Sequence, residues 1–192
     1  MTISLPATRI VDGVDLPAPG VWAIDPSHTE VAFIGRHFLL TKVRGRFTGV
    51  AGTVVVDDDP ARSSVEVEID VASLQSGDQA RDDHLRSEDL FHVAAHPTAG
   101  FRSRAVDWVG RRGAVSGDLT IKDVTHPVSL EVDYLGYAGD PWGNDRAVFS
   151  AHTTINREDF GLTWNMMLEA GGLLVSNEIR IEIEIEAIRQ NA

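Results

Sequence analysis

Apolar and charged side chains alternate with a period of two residues along the last part of the chain. Between residues 178 and 186, every odd position is an isoleucine and every even position is charged. Successive side chains of a β-strand point to opposite faces, so this period indicates a strand with one buried and one solvated face. The same alternation occurs at 65–71 and at 128–134. The sequence therefore predicts a fold that consists mainly of half-buried strands.

Eight such strands are predicted from residue 21 onward, because clusters of Asp, Gly and Pro separate the alternating segments. They span residues 21–35, 43–57, 63–73, 98–108, 113–122, 127–138, 146–156 and 175–189. One short helix is predicted at about 78–95, with Asp78 as its N-cap and an ion pair between Asp82 and Arg86. A long loop is predicted at 157–170. Residues 1–20 hold three prolines and no clear period, and are predicted to be an N-terminal arm before a domain of 21–190.

Eight strands with one apolar and one charged face form either a sandwich or a closed barrel. Closure leaves no edge strand for another chain to pair with. An eight-stranded barrel encloses a lumen that side chains can just fill, or that holds one slender ligand. Several inward positions carry small or medium side chains, such as Val65, Val67 and Ala147, and these leave room. Alternation alone is compatible with a filled core as well as with a hollow one.

Charge and composition exclude several classes of protein. The chain has 29 acidic and 17 basic residues, a net charge of −12, so its surface repels nucleic-acid and other phosphate polymers. It has no cysteine, which excludes disulfides, thiolate nucleophiles and zinc–sulfur sites. No window of 18 uncharged apolar residues could span a membrane as a helix. The first 20 residues lack the apolar core of a secretion signal, so a cytoplasmic protein is expected.

Five segments, in order along the chain, resemble the YceI-like family. They lie at 22–33, 43–49, 81–91 with 96–97, 119–122 with 125–128, and 156–164. The resemblance implies an all-β protein, an extended eight-stranded antiparallel, lipocalin-like barrel with one short helix near its mouth. It also implies an apolar tunnel that binds a long amphiphile for storage or transport, such as a polyisoprenoid or an isoprenoid quinone. The resemblance implies no enzymatic activity and no cofactor, and it is compatible with a homodimer.

The residues predicted to contact this ligand come from the strands and from the mouth. The strand residues are chosen by alternation. The mouth residues are chosen because they lie in the predicted helix, in the basic segment 35–46 or in the apolar stretch 164–168 of the predicted loop. They are Phe33, Val54, Val67, Ile69, Leu119 and Ile181 in the strands, and His37, Arg81, His84, Leu85, Phe91, Trp164, Met166 and Met167 near the mouth.

Residues 35–46 carry five basic side chains, counting His37, and no acidic one. In a chain with a large excess of acids, this segment has two interpretations. It could hold a phosphate, a carboxylate or a quinone carbonyl at the mouth of the barrel. It could also be a solvated hairpin whose charges pair with acids on the surface.

Two groups of side chains could support catalysis or metal binding, and both are disfavoured. His84, His92 and His96 have ligand chemistry, but His96 precedes a proline and is expected to leave the helical register. Asp25 and Ser27 would share one face of a strand while His28 would point to the other. We therefore predict no catalytic residue and no metal. The alternatives are a lipid-modifying enzyme with His28 or His84 as acid or base, and a structural stress protein without a ligand.

Overall fold

The computed structural model describes residues 6–167 and 174–190. Residues 1–5 of the predicted arm and 168–170 of the predicted loop lie outside the described residues. The strands are β1 (Thr8–Val11), β2 (Val14–Pro17), β3 (Gly20–Ile24), β4 (Glu30–His37), β5 (Thr41–Phe47), β6 (Val50–Val56), β7 (Ser64–Asp70), β8 (Leu74–Gln75), β9 (Thr98–Val109), β10 (Arg112–Ile121), β11 (Val124–Gly139), β12 (Asp145–Asn156) and β13 (Glu178–Arg189). The α-helix α1 spans Gln79–Arg86, and 3-10 turns occur at Pro26–His28, Pro60–Arg62, Val71–Ser73 and Arg157–Phe160.

Eight of these strands form a closed antiparallel barrel, as predicted. Their order around the ring is β12-β11-β10-β9-β7-β6-β3-β13, and β13 pairs back with β12. The isoleucines of β13 that alternate in the sequence all face the lumen. β4 pairs with the same edge of β13 as β3, and the sheet continues from β4 to β5 and then to β8. No helix in the described ranges is long and apolar enough to span a bilayer.

Two predicted strands are each divided into two parts. The predicted strand 21–35 is β3 and β4, and the predicted strand 43–57 is β5 and β6. β3 pairs with the last residues of β13, and β4 pairs with its earlier residues, so they are successive parts of one long strand. Between them, Asp25 caps a 3-10 turn that starts at Pro26, which has no N–H to donate to a ladder. In the β4–β5 pair, Gly45 lies under the ring of Phe33, and a Cβ there would come within 2.1 Å of that ring.

The N-terminal segment forms a hairpin, β1–β2, instead of an irregular arm. Its turn is Asp12-Gly13, and both residues have positive φ, which such tight turns require. Leu16 is buried in a cluster with Trp22 and Tyr134. Arg9 donates to the backbone carbonyls of residues 57 and 58 at 2.5 and 2.7 Å. The hairpin thus covers one end of the barrel, which we call the hairpin end.

The opposite end, the helix end, carries α1, the turn at 38–40, the turn at 122–123 and the segment after β12. The helix begins as predicted, because Asp78 Oδ1 accepts the N–H of Arg81 at 2.8 Å. It ends at Arg86 and not near residue 95, because Ser87 is extended and the chain continues to residue 97 through turns. The predicted pair of Asp82 with Arg86 is wrong. Asp82 is buried and accepts from the backbone N–H of Ser76, while Asp83 lies 3.6 Å from Arg86.

Candidate functional site

The barrel contains an apolar cavity of about 550 Å³ that extends between its two ends. Its side walls are inward-facing apolar residues of the strands, mainly valine, leucine, isoleucine and phenylalanine. Leu16 and Pro17 of the hairpin, with Trp108, border it at the hairpin end, and α1 borders it at the helix end. The barrel is therefore hollow in its middle and covered differently at its two ends.

The lining of this cavity carries a group of basic side chains. Within the described ranges, four arginines and two histidines reach the lining and no aspartate or glutamate does. Five of these six lie at the helix end: Arg36, His37, Arg81, His84 and Arg157. The whole chain has a net charge of −12, so the excess of basic side chains in this lining is the opposite of the excess of acidic residues in the chain. The helix end of the cavity is thus suited to an anionic or electron-rich group.

Twelve of the fourteen residues predicted to contact a ligand line this cavity. They are Phe33, His37, Val54, Val67, Ile69, Arg81, His84, Leu85, Phe91, Leu119, Trp164 and Ile181. Met166 and Met167 do not line it. They are exposed on the outside of the helix end, because the chain turns outward after Trp164. The part that any of these residues takes in binding stays a prediction.

Arg157 organises the wall at the helix end, a role that was not predicted from the sequence. Its side chain is only 4% exposed. It donates to the carbonyls of Ser176 at 3.0 Å, Trp164 at 2.9 Å and Leu162, and to Asn177 Oδ1 at 3.3 Å. None of these partners is a carboxylate, and burial lowers the pKa of the guanidinium.

The contacts of Arg157 join the chain that leaves β12 to the chain that enters β13. It therefore holds both sides of the segment that carries Trp164. The available signal was an arginine directly after the apolar strand 146–156, inside the last segment that resembled the family.

Arg81 and His84 of α1 are held by protein contacts on the rim of the cavity. Arg81 donates from Nε to Ser76 Oγ at 2.7 Å and from Nη2 to the Ser76 carbonyl at 2.8 Å. His84 Nε2 lies 3.1 Å from a carboxylate oxygen of Asp89. The edge of the His84 ring packs on Trp164, with 4.4 Å between ring centroids. These side chains form an ordered basic and aromatic rim.

The side chains of Asp25, Ser27 and His28 come together, which corrects the prediction that His28 points to the other face. The 3-10 turn replaces strand geometry, so His28 Nδ1 lies 2.9 Å from Asp25 and 3.4 Å from Ser27 Oγ. The His28 side chain is more than half exposed. In a catalytic triad, one ring nitrogen of the histidine contacts the carboxylate and the other ring nitrogen contacts the nucleophile. Here the same nitrogen faces both, so the group does not have the geometry of a catalytic triad.

The carboxylate of Asp25 also belongs to an ion cluster on the outside of the barrel. Asp25, His28 and Glu186 place potential ligand atoms within 4.8 Å of one another. Arg146 Nη1 lies 2.6 Å from Asp25 and 3.1 Å from Glu186, and its Nε lies 3.0 Å from Asp140. The guanidinium therefore occupies the position that a metal ion would need.

Burial alone raises the pKa of Asp25, but hydrogen bonds from Arg146 and Ser27 outweigh it and hold that pKa well below its usual range. The Asn144 amide and the guanidinium lower the pKa of Asp140 to about 2.

The three histidines of the 84–96 region have separate partners. His84 pairs with Asp89, as described above, and His96 Nδ1 lies 3.0 Å from Asp123. His92 lies 3.8 Å from Glu88, and its ring packs edge-on against His96. His92 also has a positive φ of 49°, which fits the loss of helical register before Pro97.

Comparisons with known proteins agree with this architecture. The sequence profile of the YceI-like domain matches residues 22–187. A UPF0312 protein of Pseudomonas paraeruginosa is 34% identical over 164 residues, which are 85% of this chain and 83% of the relative.

Two solved structures share the fold. The crystal structure of Burkholderia cenocepacia BcnA superposes with a TM-score of 0.74 at 24% identity, covering 85% of this chain and 98% of that one. A Saccharophagus degradans domain, described as a polyisoprenoid binding domain implicated in plant cell wall breakdown, gives a TM-score of 0.64 at 16% identity. It covers 90% of this chain and 100% of that one. With a profile match over most of its length and the same barrel, this chain belongs to the YceI-like family.

Proposed function

We propose that this protein binds one long, mainly apolar amphiphile inside the barrel, such as a polyisoprenoid or an isoprenoid quinone. The observation that carries the proposal is the hollow apolar lumen whose charged lining residues, among those that the structure describes, are all basic and lie mostly at one end. Its volume of about 550 Å³ falls within the range of roughly 300–1,000 Å³ that is usual for small-molecule sites.

The walls supply affinity for a hydrocarbon chain without any catalytic group. Transfer of apolar surface out of water is favourable by about 25 cal/mol per Å², before the costs of binding. Valine, leucine and isoleucine side chains contact such a chain without fixing the position of a double bond or a branch. The proposed role is therefore storage or transport of the ligand, and not its chemical conversion.

The helix end is the proposed place of the polar head. Arginine guanidinium groups bind phosphate and carboxylate well, and they also donate to a quinone carbonyl. Arg36, Arg81 and Arg157 line this end, with His37 and His84 beside them. Trp108 lies at the other end of the same cavity, where the apolar tail would reach. The name of the Saccharophagus degradans domain supports a ligand of the same class.

The test is organic extraction of the purified full chain, with mass spectrometry of the extract. We expect about one lipid per chain. Val67 lines the cavity, whereas its neighbour Glu68 is exposed on the outside. Val67→Trp should therefore remove most of the lipid, and the matched control Glu68→Trp should retain it. If the tryptophan prevents folding, Val67→Phe is the smaller obstruction.

An extract without lipid from the parent chain, or equal lipid in both variants, would contradict the proposal. A lipid that leaves chemically altered would instead support the alternative of a lipid-modifying enzyme.

A further inference from the structure

Five large apolar side chains are exposed together at the helix end. Phe38, Leu39 and Leu40 form the β4–β5 turn, and Met166 and Met167 lie on the segment after β12. Their exposed fractions range from 47% to 81%. The two segments are joined through Leu174, whose carbonyl accepts the Phe38 N–H at 2.9 Å and whose N–H donates to the Met166 carbonyl at 3.0 Å. We call these five residues the apolar lip.

The backbone of this turn does not favour apolar residues. Phe38 and Leu39 have φ of 53° and 60°, and the N–H of Leu40 donates to the carbonyl of His37 at 3.0 Å. Two successive positive φ values are typical of the mirror-image hairpin turns, which favour Asn-Gly and strain bulky side chains. The strained turn places two large apolar side chains in water, and no burial of these side chains offsets the energetic cost of the strain.

Two other turns of the molecule have the same backbone pattern with polar sequences. At the helix end, Lys122 and Asp123 have φ of 51° and 63°, and at the hairpin end the turn is Asp12-Gly13. Neither turn exposes an apolar side chain. The hairpin geometry alone therefore does not explain why Phe38 and Leu39 occupy this turn. Their exposure indicates that they contact another molecule.

Two exposed basic side chains lie directly beside the lip, and one of them, Arg36, donates to the Leu40 carbonyl at 3.2 Å. Arg36 and Lys42 are exposed and face each other across the β4–β5 ladder. Like charges opposite one another in a sheet are unfavourable. In the part of the chain that the structure describes, neither has an acidic partner within 4.0 Å, whereas Arg44 and Arg46 both pair with Glu30. The local charge therefore opposes the net charge of −12 and is available to an external anion.

The lip is continuous with the rim of the cavity. His37 precedes Phe38 and lines the cavity, and their rings pack with 3.9 Å between centroids. Leu174, which joins the two segments of the lip, lines the cavity too. An apolar chain that leaves the cavity at the helix end would therefore meet the lip first.

We infer that the apolar lip docks the barrel on an anionic bilayer, with Phe38, Leu39, Leu40, Met166 and Met167 in the acyl region. This inference rests on the proposed function, because a carrier of a poorly soluble lipid has to collect it from a membrane. Apolar groups that enter the interface, together with lysine and arginine near anionic head groups, are the usual basis of reversible peripheral binding. The ligand then passes between bilayer and cavity without crossing water.

The test is flotation of the full chain with vesicles of phosphatidylcholine alone and of an equal mixture with phosphatidylglycerol. We expect binding to the mixed vesicles, weakening at high salt because surface charges are screened. The key variant is Phe38→Asn with Leu39→Gly, which supplies the residues that this turn favours, so the variant should fold at least as well as the parent. It should lower the vesicle-bound to free ratio by about tenfold. The matched control Val109→Asn removes an exposed apolar side chain from the last residue of β9, at the hairpin end, and should bind like the parent.

Failure of this inference is distinguishable from failure of the proposed function. Extraction of the Phe38→Asn, Leu39→Gly variant should still yield the lipid, because neither residue lines the cavity. Parent protein that holds lipid but does not float, or a variant that floats like the parent, would overturn docking alone. A parent that is dimeric, does not float and becomes monomeric in the variant would assign the lip to a second copy of this chain. The homodimer itself stays a prediction.

Discussion

The hairpin end and the helix end of the barrel differ in what covers the lumen. At the hairpin end, Leu16 packs against Trp22 and Tyr134, and Arg9 ties the hairpin to the next turn. At the helix end, the cavity meets arginines, histidines and an exposed apolar lip. One end is built like a protein core, and the other resembles a binding surface. Under the proposed function, we expect the ligand to enter and leave at the helix end.

The largest effect on stability is expected at Arg157, which organises the helix end. Arg157→Met would leave the carbonyls of Leu162, Trp164 and Ser176 without their donor, and buried acceptors without partners are costly. We expect a loss of about 3 kcal/mol in the free energy of unfolding, measured with urea. The matched control is Arg180→Met, which removes an exposed arginine that pairs with Glu182 on the surface and should cost less than about 0.5 kcal/mol. Equal costs would show that Arg157 does not hold the wall.

The next effect concerns the core of the hairpin end. Leu16→Ala creates a cavity beneath the hairpin and should cost about 2 kcal/mol, since a buried leucine loses its contacts. Ile10→Ala, on the same hairpin but exposed, should change stability by less than about 0.5 kcal/mol. If the two substitutions have the same effect, the hairpin does not seal this end, and the contrast between the ends fails.

The ion cluster near the hairpin end predicts how stability depends on pH. Hydrogen bonds from Asn144 and then from Arg146 lower the pKa of Asp140 to about 2, and hydrogen bonds from Arg146 and Ser27 depress the pKa of Asp25. Their stabilisation is present above the ordinary carboxyl pKa of about 3.9 and is lost as the pH falls below it towards the folded values.

Arg146→Met should remove the part of this acid-sensitive stability that comes from its hydrogen bond to buried Asp25, about 1 kcal/mol at neutral pH. The parent should lose more stability than the variant between pH 6 and pH 3 in urea titrations. Parallel pH profiles would contradict the assignment.

The smallest effect is expected at the apolar lip, and it has the opposite sign. Leu39→Gly relieves the positive φ of 60° and should stabilise the fold by about 0.5 kcal/mol. Leu40, the next residue of the turn, is not among the residues with positive φ, so Leu40→Gly should give no gain. A parent more stable than Leu39→Gly in thermal melts would remove the argument that this turn retains strain for the sake of its side chains.

Much of the architecture could be predicted from the sequence, because alternation is a local property. The isoleucines of β13 fix which face of that strand is inward, and the same pattern places Val67 and Ile69 on the cavity wall. The bend at residues 25–29 was not predicted, although Pro26 is visible in the sequence. The two parts of the bent strand, β3 and β4, both pair with β13, so the bend leaves the strand pairing unchanged. The hairpin was missed because its stability comes from contacts with distant residues such as Tyr134.

The site was predicted less completely, for the same reason. Arg157 acts through backbone carbonyls up to nineteen residues away in the chain, and carbonyl positions have no signature in a sequence. Ser27 and His28 meet through a 3-10 turn that strand geometry does not anticipate. Met166 and Met167 were recognised as unusual for a loop, but whether they face inward or outward depends on the path of the chain after Trp164.

The central claim, that the head of the ligand lies at the helix end of a hollow barrel, has a direct test. Trp164 and Trp108 line opposite ends of the cavity. A quinone ring accepts electrons from an excited indole at short range, so a bound isoprenoid quinone should quench the tryptophan nearest its head. Titration of the delipidated full chain with ubiquinone should give saturable quenching that Trp164→Phe removes and Trp108→Phe retains. Quenching that depends on Trp108 instead, or no saturable quenching at all, would contradict the account.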